Sequence, residues 1–261
     1  MAAVAISDSE LRTADLWLLD PVRATRTRLT SHRTDEFSPR WAPDGFIYYT
    51  ADHEGFYNLY RKPFSGAGAE ETVLKSDVDK WLDDVSRDGR ELLYTAWELK
   101  TGFDVWVYPV KTGKPKPLIQ TRFLEGSARF SPDGRWIAYV SRESGREEVF
   151  VCPRGAPVAR HQVSVNGGTG PRWSVDGREI YFISPDRTLM EAAVRSLGDS
   201  VEVGQPRPLF EHEALRWTWG NRNQTSYEVA SGKRFVLAVS AEEPGARPVI
   251  AVLDWTAGLP K

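Results

Sequence analysis

The chain has 261 residues, 41% of them hydrophobic, enough to bury a sizeable core in one large domain. Its 34 basic and 36 acidic residues leave a formal charge of −2 and are interspersed, so no basic field exists to gather nucleic acid. A single cysteine, Cys152, excludes an internal disulfide framework, and no apolar run approaches the roughly 18 residues that cross a membrane as a helix.

Taken in chain order, the sequence is a series of short aromatic and β-branched runs between Gly, Pro and Asp punctuation, which is the pattern of strands. The opening residues 1–6 are too short for the apolar stretch of an export signal and have no basic segment before them. Residues 4–7, 15–19 and 27–30 are the first three strands. The phrase Pro39-Arg40-Trp41-Ala42-Pro43-Asp44-Gly45 then opens a unit that returns three times, at Asp88-Gly89, Asp133-Gly134 and Asp176-Gly177. The four turn aspartates are spaced 44, 45 and 43 residues apart, the mark of a repeat architecture.

Each unit parses as four strands. Strand A ends in the Asp-Gly turn, where Gly supplies the positive φ of a tight hairpin. Strand B is the apolar run after the turn: 46–50, 91–95, 136–140 and 179–183. Strand C follows a polar loop at 57–61, 104–108, 148–151 and, more weakly, 189–194. Strand D is short and polar, as an outer edge should be: 71–74, 117–119, 161–164 and 208–210. The ends are incomplete. The first unit lacks strand A, and the last (226–229, 234–239, 249–255) lacks strand D, with its turn shortened to Ser231-Gly232. No window holds a helical apolar period. The expectation is therefore an all-β chain forming a single six-bladed β-propeller with incomplete first and last blades. The blades run approximately 1–30, 31–76, 77–121, 122–166, 167–211 and 212–261.

These residues carry a family resemblance. Residues 131–141, with Ser144-Gly145 and 148–151 after them, resemble the repeat of TolB-like (WD-repeat-like) six-bladed propellers. Residues 75–77, 101–106 and 252–259 are similar to the C-terminal propeller of bacterial membrane-anchored Ser/Thr protein kinases. That resemblance implies an extracytoplasmic sensor or protein-binding module. No kinase motif, anchor or export signal is present in the chain, which starts in mid-blade as a fragment of a longer protein would.

In a propeller the A–B and C–D turns share one face, and the D–A and B–C loops share the other. The Asp-Gly turns are structural, so a site is expected on the loop face. His32, Asp35 and Glu36 lie on the D–A loop into the second blade, and Asp52, His53 and Glu54 on its B–C loop. With His212, the set His32, Asp35, Asp52 and His53 has N and O donors suited to a divalent metal: Zn, Mn or Ca. No tight ligand spacing accompanies them, and a solvated polar rim is the competing reading. The long connection at 211–224 carries Trp217 and Trp219, an aromatic wall for a ligand or an anchor for a partner.

Charged residues recur four positions before the turn Asp (Arg40, Asp84, Arg129, Arg172, with Glu228 in the last unit), which points to a ring of ion pairs. Glu36, Lys80 and Glu125, four residues earlier, are ligand-binding candidates nearer the channel mouth. The missing first strand A should widen the channel on one side, or leave an edge that another strand, including one from a second copy, could fill. No nucleophile elbow, Walker loop or dinucleotide fingerprint is present. Two functions follow. One is a propeller that binds a protein or small-molecule ligand on its loop face; the other is a divalent-metal-dependent hydrolase of the lactonase or phosphotriesterase type.

Overall fold

The computed structural model describes residues 2–7, 13–20, 23–216, 226–230, 233–239 and 249–254. Its regular structure is entirely β, in six antiparallel sheets. The chain forms two compact units, Met1–Arg122 and Phe123–Lys261. The first unit holds three sheets. They are β1 (Ala2–Ser7), β2 (Ala14–Asp20) and β3 (Thr25–Arg28); β4 (Glu36–Trp41), β5 (Phe46–Ala51), β6 (Asn58–Pro63) and β7 (Glu71–Leu74); and β8 (Lys80–Val85), β9 (Glu91–Glu98), β10 (Gly102–Pro109) and β11 (Lys116–Ile119).

The second unit holds the other three. They are β12 (Glu125–Phe130), β13 (Trp136–Ser141), β14 (Glu148–Pro153) and β15 (His161–Gln162); β16 (Thr169–Trp173), β17 (Glu179–Ile183), β18 (Thr188–Leu197), β19 (Ser200–Val203) and β20 (Arg207–Glu211); and β21 (Tyr227–Ala230), β22 (Arg234–Val239) and β23 (Val249–Asp254). The fold is the six-bladed β-propeller, each sheet an antiparallel meander of three to five strands. Among the described residues the first sheet has only B, C and D, and the last only A, B and C. No helix there is long and apolar enough to cross a membrane.

The Asp-Gly turns are built alike. Gly45, Gly89, Gly134 and Gly177 all have φ between 70° and 86°, a conformation that costs a residue with Cβ. Oδ1 of each turn Asp accepts the backbone N–H two residues on, from Phe46, Arg90, Arg135 and Arg178. In three copies a serine two residues earlier donates its hydroxyl to that oxygen: Ser86, Ser131 and Ser174. The first copy has Ala42 there, and the second oxygen of Asp44 takes the Tyr48 hydroxyl at 2.8 Å.

Strand A carries a feature that composition did not announce. The A–B register shifts between Phe37 and Arg40, Leu82 and Asp84, Gly126 and Arg129, and Thr169 and Arg172. Ser38, Ser127 and Gly170, each six residues before the turn Asp, have φ of 54–58°. A bulge at a fixed repeat position separates the loop-end residues of each inner strand from the Arg and Trp near the turn.

Alternation along the strands sends successive side chains to opposite sheet faces. In the first unit Ile47, Tyr49 and Ala51 pack with Leu16, Leu18, Leu29 and Tyr60, whereas Tyr48 joins Leu59, Leu82, Leu92 and Tyr94. In the second, Ala138, Val140 and Val149 pack with Ile180 and Phe182, and Tyr181 with Tyr227, Phe235 and Leu237. Each fully buried side chain of this size contributes about 1.5–3 kcal/mol.

The fifth sheet departs from the repeat. The weak run at 189–194 is the first part of a ten-residue strand, β18, whose far half turns at Gly198 and pairs with β19. Strand D, β20, pairs with the near half. The cause is Val201, which is buried among Val194, Val151 and Trp136, so the hairpin extends the core rather than looping away from it.

Candidate functional site

The first unit gathers its titratable groups where β4 begins, where the β5–β6 loop turns and where the chain enters β7. Glu36 is the first residue of β4 and only 1% exposed. His53 follows β5. Its Nε2 lies 3.7 Å from Glu36 Oε1 and 3.1 Å from Oε1 of Glu70, the residue before β7. The Tyr49 hydroxyl donates to the other Glu70 oxygen. On the far side of the ring, His53 Nδ1 is 2.7 Å from the Thr34 hydroxyl, which also lies 3.3 Å from His32 Nδ1. The two imidazoles lie tilted by 37° with centroids 3.8 Å apart, and Tyr60 lies against His53 at 4.7 Å.

The electrostatics follow from this packing. Burial pushes the Glu36 carboxyl up to about 7, against the opposing pull of the Thr30 hydroxyl and His53. Desolvation works to lower His53, but the hydrogen bond and charge of Glu70, with Glu36 and Asp52 behind it, hold the imidazole above its ordinary value. Burial works to raise Glu70, and hydrogen bonds from His53 and Tyr49 outweigh it, leaving that carboxyl below its usual range. His53 and Glu70 each favour the other's charged form, and Glu36 is the carboxyl that burial disfavours as an anion.

The other expected residues are placed elsewhere. Asp35 accepts the backbone N–H of Ala14 at 2.9 Å and ties the D–A loop to β2. Oδ1 of Asp52 is buried without a hydrogen-bond partner. His212 belongs to the second unit, where its Nδ1 accepts from Ala214 N–H at 3.0 Å. Trp217 and Trp219 lie outside the described residues. Lys80 occupies in β8 the register that Glu36 occupies in β4, opposite Ala96 and Ala51 respectively. Its ammonium group donates to Asn58 Oδ1 at 2.8 Å and to the Val78 carbonyl, and burial holds it down to about 8. Glu125 is buried at the start of β12 opposite Ser141, whose hydroxyl is 3.4 Å from its Oε1.

Glu70 was missed by sequence reading. It sits on the C–D connection, the face to which only turns are assigned, and no spacing rule links it to His53. Its one signal is the acidic pair Glu70-Glu71 entering an outer strand; Glu71 pairs with Arg61, which leaves Glu70 to Tyr49 and His53.

A second loop-face feature is aromatic. Phe37, Tyr57, Trp81, Phe103 and Trp97 form a continuous series with centroid separations of 5.2, 5.8, 5.4 and 4.7 Å. It runs from the buried Phe37 to Trp97, 45% exposed, with Leu99 98% exposed on the adjoining turn.

The charges nearer the turns act as struts between neighbouring sheets. Arg172 makes a two-armed pair with Glu228, both contacts 2.9 Å, between equivalent positions of β16 and β21. Arg40 Nε donates to the Asp83 carbonyl at 2.8 Å.

No family model matches the chain. It is 29% identical over 152 residues to the Tol-Pal system protein TolB of Wolinella succinogenes, covering 56% of this chain and 34% of that protein. The crystal structure of TolB from Acinetobacter baumannii superimposes with a TM-score of 0.69 at 16% identity, over 96% of this chain and 60% of that one. A structure of a nidogen/laminin complex gives a TM-score of 0.58 at 11% identity, over 90% and 84%. The chain spans about half the length, or less, of the curated relatives it matches. The fold is TolB-like.

Proposed function

We propose that the chain is a binding module whose loop face takes a protein partner, with the Trp97–Phe103 end of the aromatic series as its anchor. The observation that supports this most is the series itself. Tyr57, Trp81, Phe103 and Trp97 come from the loop-face ends of two consecutive sheets and lead outward to an exposed Trp and Leu. Large aromatics rigidly backed by other rings are the residues that carry binding energy at protein interfaces. A relative named as part of the Tol-Pal system and a structural neighbour solved as a complex of two proteins favour the same reading. So does the resemblance to the propellers of membrane-anchored kinases, which implies a sensor role.

Capture from the source cell extract tests this when repeated with three forms of the chain. A partner retained by the wild type and by Trp41→Ala, on the turn face, but lost with Trp97→Ala supports the reading. A partner lost with Trp41→Ala and retained with Trp97→Ala moves the binding surface to the turn face and overturns it.

A second reading, a divalent-metal-dependent hydrolase, draws on the imidazole held between two carboxylates. That donor set suits a cation that polarises an ester or phosphoryl oxygen. Turnover of lactones or phosphotriesters that disappears with Glu36→Gln would favour it over the first.

A further inference from the structure

The cluster at the head of β4 has three properties that an ion pair alone does not account for. First, one ligand atom each from Glu36, His53 and Glu70 lies within 4.8 Å of the others. Second, Glu36 is only partly satisfied, with the Thr30 hydroxyl as a polar neighbour. Oε1 faces His53 at 3.7 Å, beyond a hydrogen bond, and Oε2 is buried with no hydrogen-bond partner. The side chain is 1% exposed, so no solvent takes up what the protein leaves unsatisfied, and a buried carboxylate oxygen in that state is unfavourable. Third, the groups behind the cluster are arranged as supports. The Thr34 hydroxyl engages His53 Nδ1, which leaves Nε2 directed at the two carboxylates, and the Tyr49 hydroxyl steadies Glu70. An imidazole held through its distal nitrogen and a carboxylate held by a hydroxyl are the usual outer partners of metal ligands.

We infer that Glu36, His53 Nε2 and Glu70 bind one divalent transition-metal ion of the Zn²⁺ or Mn²⁺ class. One nitrogen and two carboxylate donors match the borderline preference of these ions, and a soft Cu⁺ site would require sulfur. Two carboxylates and a neutral imidazole carry −2, which a dication cancels inside a site too enclosed to hold two bare anions. Three protein ligands leave at least one coordination position for water or for a group of a bound molecule. The inference is independent of the aromatic surface proposed above and requires no catalysis.

The experiment uses the full chain stripped with a chelator and titrated with Zn²⁺ and, separately, Mn²⁺ by calorimetry. One ion per chain is expected. Glu36→Gln, His53→Ala and Glu70→Gln should each abolish stoichiometric binding, Thr34→Val should weaken it about tenfold, and His32→Ala should leave it within about threefold. Circular dichroism and cooperative unfolding establish that each variant is folded. A variant that fails to fold is replaced by a measurement on the wild type. In histidine-¹⁵N-labelled protein, Zn²⁺ should shift Nε2 of one imidazole, with Nδ1 keeping its proton. No stoichiometric ion, an ion that survives all three ligand substitutions, or a shift at His32, His161 or His212 alone would each overturn the inference. None of these results bears on whether Trp97 holds a partner.

Discussion

The two ends of strand A obey different rules. At the turn end, successive repeats carry the same machinery: an Asp accepting the N–H two residues on, a Gly at positive φ and, in three of four copies, a Ser closing the loop. At the loop end the same register holds Glu36, Lys80 and Glu125 in three sheets, each buried and each with a different partner set. In the fourth repeat the corresponding residue is Gly168, where a Cβ would come within 2.5 Å of Ser164 and 2.9 Å of Phe182. One end repeats because every sheet needs the same hairpin. The other varies because the bulge separates it from the turn and no hairpin constrains it, so its side chains answer to local neighbours.

Substitutions can break or sharpen this contrast. The largest effect is expected at Gly168→Ala. Overpacking against Ser164 and Phe182 should cost about 3 kcal/mol, read as a lowered denaturant midpoint. Glu36→Gln, at the same register three repeats earlier, should cost less than about 1 kcal/mol, because it keeps the shape and removes a disfavoured charge. If the two cost the same, the loop ends are not independent sites.

Gly89→Ala should cost about 1–2 kcal/mol, since φ of 70° is unfavourable for alanine and the new methyl would meet Pro43 at 3.0 Å. Thermal unfolding of the purified variant measures it. The turn serine permits a reciprocal test. Ser131→Ala removes bonds to Asp133 and from the Trp136 N–H and should cost about 1 kcal/mol, whereas Ala42→Ser should return up to a similar amount. A neutral result in both directions would mean that the shared turn chemistry does not hold the repeat together.

A further effect is one of pH. Burial lowers Lys80 to about 8 from the 10.5 of an unfolded chain. Below about 8 both states hold the proton, and the stability gap between wild type and Lys80→Met should be flat. From about 8 to 10.5 the unfolded state binds more protons, so the wild type should gain on the variant as pH rises. Paired urea melts at pH 7 and pH 9.5 read this difference. A gap that narrows in favour of the variant would show that the hydrogen bonds to Asn58 and Val78, not burial, dominate at Lys80.

Much of the architecture was legible before any coordinates. Phe46, Glu91, Trp136 and Glu179 start strand B as expected, because each follows an Asp-Gly step that admits only a tight hairpin. That the first sheet shows no strand A and the last no strand D among the described residues matches the sequence expectation. The hairpin of β18 and β19 was not, because Val201 and Val203 are too short a run to separate a strand from a loop without their partners. Of the cluster, Glu36 and His53 were named from loop position and residue type. Glu70 was hidden because its contacts to Tyr49 and His53 depend on how a C–D connection lies over the outer strand, and no one-dimensional period encodes that. Asp35 was named on the same grounds as His53, yet it serves the Ala14 N–H.

The sequence by itself determined the sheet count, the A-to-D order of strands within the sheets and the blade period, because period-two alternation and turn chemistry are local and repeat every 44 residues or so. Only the tertiary structure decided which charged residues meet. Glu36, His53 and Glu70 are 17 residues apart at each step and come together through the bulge in β4, the outward turn after β5 and the return into β7. Proximity of that kind depends on packing between strands, a property of the folded chain that no single strand carries.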